Sequence, residues 1–146
     1  MRIANVLVLA LAACGSDSVE PAFPASYASS YVEVRDCRAS ADHDLHKIRI
    51  VASPDAVGPY MSRTAPFPVG AIVLKEEYDF ADGDCTGPIV EWTVMEKTDL
   101  AADLGWHWER VSADRSITST NDTRCIGCHT ACGVGPDGYD GTCAVP

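Results

Sequence analysis

Past residue 45, apolar and polar positions alternate in short runs punctuated by glycine, proline and aspartate, the pattern of strands joined by tight turns. In His46 to Ala52, Ile48, Ile50 and Ala52 share one face and Arg49 lies on the other. Ser53 then suits a helix cap, and Pro54 suits the first turn of a short helix running toward Met61. Pro66 and Pro68 break the chain. Val69 to Phe80 reads as a strand with Ile72, Leu74, Tyr78 and Phe80 on one face and Ala71, Val73, Lys75 and Glu77 on the other. A turn at Asp82-Gly83-Asp84 leads past Gly87-Pro88 to Ile89 to Lys97, rich in β-branched and aromatic residues. Trp106 to Val111, entered through Gly105, reads as a further strand, and Tyr31 to Arg38 fits a helix or a strand equally well. The connections are too short for parallel crossovers. The pattern therefore predicts an α+β fold: a mainly antiparallel sheet with short helices. A last helix is expected to start at Asn121 or Asp122 and stop at Gly133.

The first residues follow a different pattern. Met1-Arg2 is followed by an almost wholly apolar run, Ile3 to Ala10, too short to span a bilayer comfortably. Leu11-Ala12-Ala13-Cys14 then matches a bacterial lipoprotein cleavage site, although an ordinary signal peptide cut near Ala13 or a buried N-terminal helix would also fit. On the lipoprotein reading, 1–13 is a signal peptide and 14–30 is a lipidated N-terminus with a flexible linker. Acyl chains on Cys14 exceed the two-chain threshold for stable anchoring. Gly15, where aspartate would resemble an inner-membrane retention signal, favours the outer membrane. The expected location is the periplasmic side, with the lipid as the only membrane attachment. The linker would span about 20–25 Å. Residues 31–146 are long enough for one domain with a real core.

Near the other end stands Cys125-Ile126-Gly127-Cys128-His129. Spacings of three and four residues bring two thiols and an imidazole to one face of a helix. This is the attachment sequence for covalent haem c, in which the cysteines form thioethers and the histidine binds iron. The cofactor expected is one haem c, held by Cys125, Cys128 and His129 on a C-terminal attachment helix. Such haem is attached outside the cytoplasm, where disulfides also persist. With Cys14 assigned to lipid, Cys37, Cys85, Cys132 and Cys143 remain, and three pairings are open. The glycine-rich chain between Cys132 and Cys143 favours that bridge, leaving Cys37 with Cys85. Each bridge contributes about 2–4 kcal/mol if unstrained. A zinc site on Cys125, Cys128, Cys132 and Cys143 is the competing reading, but it gives His129 no role.

A net charge of −10 falls one unit further once Arg2 is removed with the signal. It argues against nucleic acid and anionic lipid as electrostatic partners. A cationic redox partner protein fits, and so does simple solubility.

Four stretches together resemble the cytochrome P-460 family, which includes the β-sheet form of cytochrome c-prime. They are Pro68-Val69-Gly70-Ala71-Ile72-Val73-Leu74-Lys75-Glu76, Val94-Met95-Glu96-Lys97, Gly105-Trp106-His107-Trp108, and the Cys125 to His129 motif. The resemblance runs from about Tyr31 onward. It implies a sheet-built pocket over one haem face and typically five-coordinate iron, open to small nitrogen-containing ligands. Some members oxidise hydroxylamine and carry a lysine cross-linked to the haem ring. Others lack that link and bind nitric oxide or carbon monoxide. Lys75 matches the lysine of the strand motif and is the candidate for the cross-link. Its plain alternative is an exposed lysine beside Glu76 and Glu77. The extra cysteines after Gly133 depart from the simplest members.

Three function classes follow: a hydroxylamine-oxidising oxidoreductase, a nitric oxide or carbon monoxide binder, and a six-coordinate electron carrier. Met61, Met95, His43, His46 and His107 are the candidates to close the sixth iron position. Met95 also suits sheet core, and His43 and His46 suit solvent among their charged neighbours. Trp106 and Trp108 suit packing against the core or haem edge. His107 alternates with these tryptophans and is expected on the opposite face. Arg63 and Arg110 suit haem propionates or surface ion pairs. If the lipoprotein reading holds, Cys14→Ser moves the protein from the membrane fraction to the soluble fraction. A wild-type protein that is already soluble, with its N-terminus elsewhere than Cys14, overturns it.

Overall fold

The computed structural model describes residues 19–100, 102–134 and 138–143. The signal segment and Cys14 lie outside them. Six strands form one antiparallel sheet in chain order: β1 (Val32–Ala39), β2 (Lys47–Ala52), β3 (Ile72–Tyr78), β4 (Ile89–Lys97), β5 (Trp106–Ser112) and β6 (Ile117–Thr120). Helix α1 (Pro54–Ser62) links β2 to β3, and helix α2 (Thr123–Cys132) follows β6. This is the expected α+β architecture. The ambiguous first segment is a strand, and β6, whose short Ile-Thr-Ser-Thr run carries a weak signal, joins the sheet edge.

Register divides the side chains into two faces. Val51 pairs with Leu74, which pairs with Val94, while Ile50 pairs with Lys75, which pairs with Thr93 and then Arg110. The outer face buries Val51, Ile72, Leu74, Trp92, Val94 and Val111 in one apolar cluster. The inner face buries Ile50, Ala52, Val73, Met95, Trp106 and Trp108 together with Ala56 and Tyr60 of α1. Both faces of β3 are therefore covered. Phe80, expected in the row with Tyr78, lies past the end of β3 and is 59% exposed.

The outer cover comes from the segment expected as linker. Phe23 and Tyr27 are buried against Trp92, with ring centroids 5.6 and 6.3 Å from it. The Tyr27 hydroxyl donates to Glu76 at 2.7 Å and accepts from the Trp92 indole at 3.0 Å. Arg49 and Tyr78 complete the buried Glu76 carboxylate, at 2.6 and 2.8 Å. A flexible tether thus cannot extend to residue 30, because three aromatic rings and a buried carboxylate require residues 22–31 in place. The Arg115 guanidinium stacks over Phe23 at 4.4 Å and donates to its carbonyl.

Two details differ from expectation at the inner face. Ser53 does not cap α1 with its side chain; its hydroxyl accepts from the Ile72 amide at 2.9 Å and donates to Asp55, stitching the helix start to β3. In β1, register shifts at 33/35 and 35/38 let consecutive residues Val34 and Arg35 serve the inner side, which a regular strand would not do.

Because Phe23 is almost wholly buried, Phe23→Ala is expected to cost about 3–5 kcal/mol in urea unfolding. Val19→Ala, at a residue 79% exposed, is expected to stay within about 0.5 kcal/mol of wild type. Equal effects would mean that residues 22–31 do not cover the sheet.

Candidate haem site

Helix α2 is capped where the sequence indicates. The Asp122 carboxylate accepts from the Arg124 amide at 2.8 Å, and the Gly133 amide donates to the His129 carbonyl. Laid against the inner face of the sheet, the helix brings Cys125, Cys128 and His129 to the wall of one cavity of about 490 Å³. Cys125 and Cys128 are the free thiols among the described cysteines. The other four form Cys37–Cys85 and Cys132–Cys143, the favoured pairing, and the second bridge consumes two of the thiols that a zinc site would need.

His129 is prepared as a ligand. Its Nδ1 lies 2.7 Å from the Gly141 carbonyl, which can only accept, so Nδ1 carries the proton and Nε2 keeps a lone pair. The ring packs on Trp108, centroids 4.6 Å apart. Burial pushes its pKa down to about 4, assisted by the charges of Lys75 and His43, so the imidazole is neutral at ordinary pH.

The sheet supplies the rest of the wall. Lys75 projects from β3 into the cavity, and its flanking carboxylates Glu76 and Glu77 are buried, so the exposed-strand alternative fails. Its amine contacts His43 Nε2; His43 Nδ1 is 3.1 Å from Glu77, and His46 Nδ1 is 2.8 Å from the other Glu77 oxygen. Burial lowers the Lys75 pKa to about 8, even with Glu77 and the two thiols opposing. Burial alone would raise the Glu77 carboxyl, but hydrogen bonds from His43 and His46 and the Lys75 charge hold it below its ordinary value. His43 and His46, expected in solvent, are drawn in by this carboxylate. The period of two in β3 puts Lys75 and Glu77 on one face, which is the signal that could have linked them.

Among the candidate sixth ligands, Met95 and His43 line the cavity, and both His43 nitrogens are engaged. Met95 is buried in the apolar core, as expected. Met61 is exposed on α1, and His107 points to the outer face beside Glu109. Arg110 lines the cavity but grips Glu91 through two bonds of 3.1 and 2.6 Å. Arg63 stacks over Tyr139 at 5.7 Å, off the cavity wall.

Three residues, of which Arg35 and Tyr60 were missed in the sequence, mark the cavity as built for a guest. Arg35 Nε and Nη1, Tyr60 Oη and Trp108 Nε1 are buried without a hydrogen-bond partner, and all three residues line it. Buried orphan donors are costly unless something fills them. Donors beside the apolar surfaces of Ile50, Val73 and Met95 fit a flat apolar ring bearing carboxylates. The residues therefore fit haem.

The family model Cytochrome P460 matches residues 24–133. The chain belongs to that family. Membership implies haem binding, in agreement with the donors and volume of the cavity. The match begins next to Phe23, within the segment that covers the outer face, and ends at the C-cap of α2. Comparison with curated proteins finds no match.

The Lys75 titration has a measurable consequence. Its folded pKa of about 8 lies below the ordinary 10.5, so between these values the unfolded chain holds more protons and stability rises with pH. In a haem-free Cys125→Ala/Cys128→Ala background, the unfolding free energy with Lys75, relative to Lys75→Met, is expected to improve from about pH 8 to about 10.5. A difference independent of pH would place the amine outside the buried network.

Proposed function

We propose that this protein is an exported haem c cytochrome whose iron is held by His129 and keeps an axial position open to the cavity, where it takes a small nitrogen-containing ligand. Hydroxylamine is the substrate that the site suits best. The observation that carries this reading is one cavity receiving two free thiols and a neutral imidazole from α2 and the Lys75 amine from β3. Cys125 and Cys128 would form the thioethers, and His129 Nε2 would be the axial ligand. Bound there, haem supplies an iron that coordinates the ligand and accepts its electrons.

The chain's own residues handle position and protons. Met95 lies packed in core and both nitrogens of His43 are occupied, which favours an unligated position over a six-coordinate carrier. With a pKa near 8, Lys75 has a substantial neutral fraction at mildly alkaline pH and can accept a proton from a bound ligand. His43, Glu77 and His46 continue from it toward solvent, the two histidine side chains being 21% and 29% exposed. This connection favours proton-coupled redox chemistry over passive gas binding. Lys75 is also the candidate for a lysine-to-haem link.

Electrons would pass to an oxidised cationic partner protein, matching the net charge of −10. Two disulfides suit the oxidising compartment that the apolar Ile3 to Ala10 run implies. Lipid on Cys14 would hold the protein on the periplasmic side, at the outer membrane. No helix among the described residues is long and apolar enough to cross a membrane.

Purified protein is expected to give a high-spin ferric spectrum, and its ferrous form to take up carbon monoxide promptly. Hydroxylamine should reduce the ferric form, and Lys75→Ala should slow this by about 10²–10⁴-fold at unchanged haem content. Low-spin spectra in both redox states, turned high-spin by Met95→Ala, would establish a carrier instead. Carbon monoxide binding without any hydroxylamine turnover would establish a gas binder.

A further inference from the structure

The segment 138–143 is clamped at several points, and its clamps converge on one backbone carbonyl. Cys143 is bridged to Cys132 at the end of α2. The Asp140 carboxylate is held by Lys97 Nζ at 2.9 and 3.0 Å, and the Asp140 carbonyl accepts from the Trp106 indole at 2.7 Å. The Tyr139 hydroxyl donates to the Ala65 carbonyl at 2.7 Å. Lys97 also donates to the Leu104 carbonyl and lies over the Trp106 ring at 4.8 Å. Between these anchors sits Gly141, with φ of +83°. A Cβ there would lie 2.9 Å from the Trp106 indole nitrogen, so only glycine fits both the backbone angle and the space. The carbonyl so placed is the one that accepts from His129 Nδ1.

We infer that residues 138–143 form a strap that positions the iron-binding histidine, with Lys97 and Trp106 as the side chains that hold it in place. The inference rests on His129 being the haem ligand. A hydrogen bond at Nδ1 fixes the ring's rotation and tautomer, and makes Nε2 a stronger electron donor to a metal. A backbone carbonyl on a loose loop would give this bond up to water. Here an ion pair, an indole bond and a disulfide keep it. The strap lies beyond residue 133, where the family match ends.

The test uses the full haem-loaded protein, with Lys97→Met and Cys132→Ser/Cys143→Ser. Both variants should shift the iron–histidine stretching band of the ferrous protein to lower frequency. They should also make the haem easier to reduce, on the order of tenfold, about 59 mV for one electron. Arg115→Met, which loosens Phe23 on the outer face, is the control: it should lower stability and move neither signal. The wild type alone gives a second reading. In its diamagnetic ferrous carbon monoxide form, the His129 Nδ1 proton should appear by NMR as a slowly exchanging resonance. Haem-loaded variants with an unshifted band and potential, or a rapidly exchanging Nδ1 proton, overturn the strap alone. A wild type without covalent haem overturns the haem reading and the strap with it.

Discussion

Every part of this molecule depends on the two-residue period of β3. In seven residues, Ile72, Leu74, Glu76 and Tyr78 face one way and Val73, Lys75 and Glu77 the other, and all but Lys75 are buried. A slip of one residue against β2 or β4 would drive Lys75 and Glu77 into the outer aromatic cluster and turn Leu74 into the cavity. The register is held by the buried charges themselves. Among the described residues, Glu76 is completed by Tyr27, Arg49 and Tyr78, and Glu77 by His43, His46 and Thr93. Each carboxylate finds these partners on its own face of β3.

From that constraint the site follows. The outer face, once covered by residues 22–31, leaves the inner face to α1, α2 and a guest. Helix α2 is short, capped at both ends and has no buried residue of its own, so its place comes from what it contacts rather than from a core of its own. Cys125 and Ile126 touch the inner cluster, His129 lies on Trp108, and the disulfide fixes its last residue. Closing a cavity that still holds unpaired donors from Arg35, Tyr60 and Trp108 makes sense physically if the guest supplies the acceptors. In this account the haem is the missing part of the core as well as the reactive group.

Much of this was legible in the chain. Alternation located β2 to β5, the Pro54 and Gly133 signals located the helix boundaries, and spacing alone joined Cys125, Cys128 and His129. The misses share a cause: the residues concerned act through partners distant in sequence. Residues 22–31 look like linker because a few aromatic residues among serine, alanine and proline have no period, and only the sheet's outer face shows what they cover. His43 and His46 look solvated because their carboxylate lies some thirty residues on, paired through β2 and β3. Arg35 reaches the cavity through a register shift, for which alternation has no signature. Gly141 lies in a stretch whose glycines suggested only a flexible return to Cys143, not a fixed carbonyl under the histidine.

The most direct measurement is intact and peptide mass spectrometry of protein isolated from cells able to mature c-type haem, without reduction. The account predicts one haem added by two thioethers to the peptide carrying Cys125 and Cys128, with Cys37–Cys85 and Cys132–Cys143 intact as separate bridges. A chain without added haem, with Cys125 and Cys128 free, bridged to each other or bound to zinc, would contradict it.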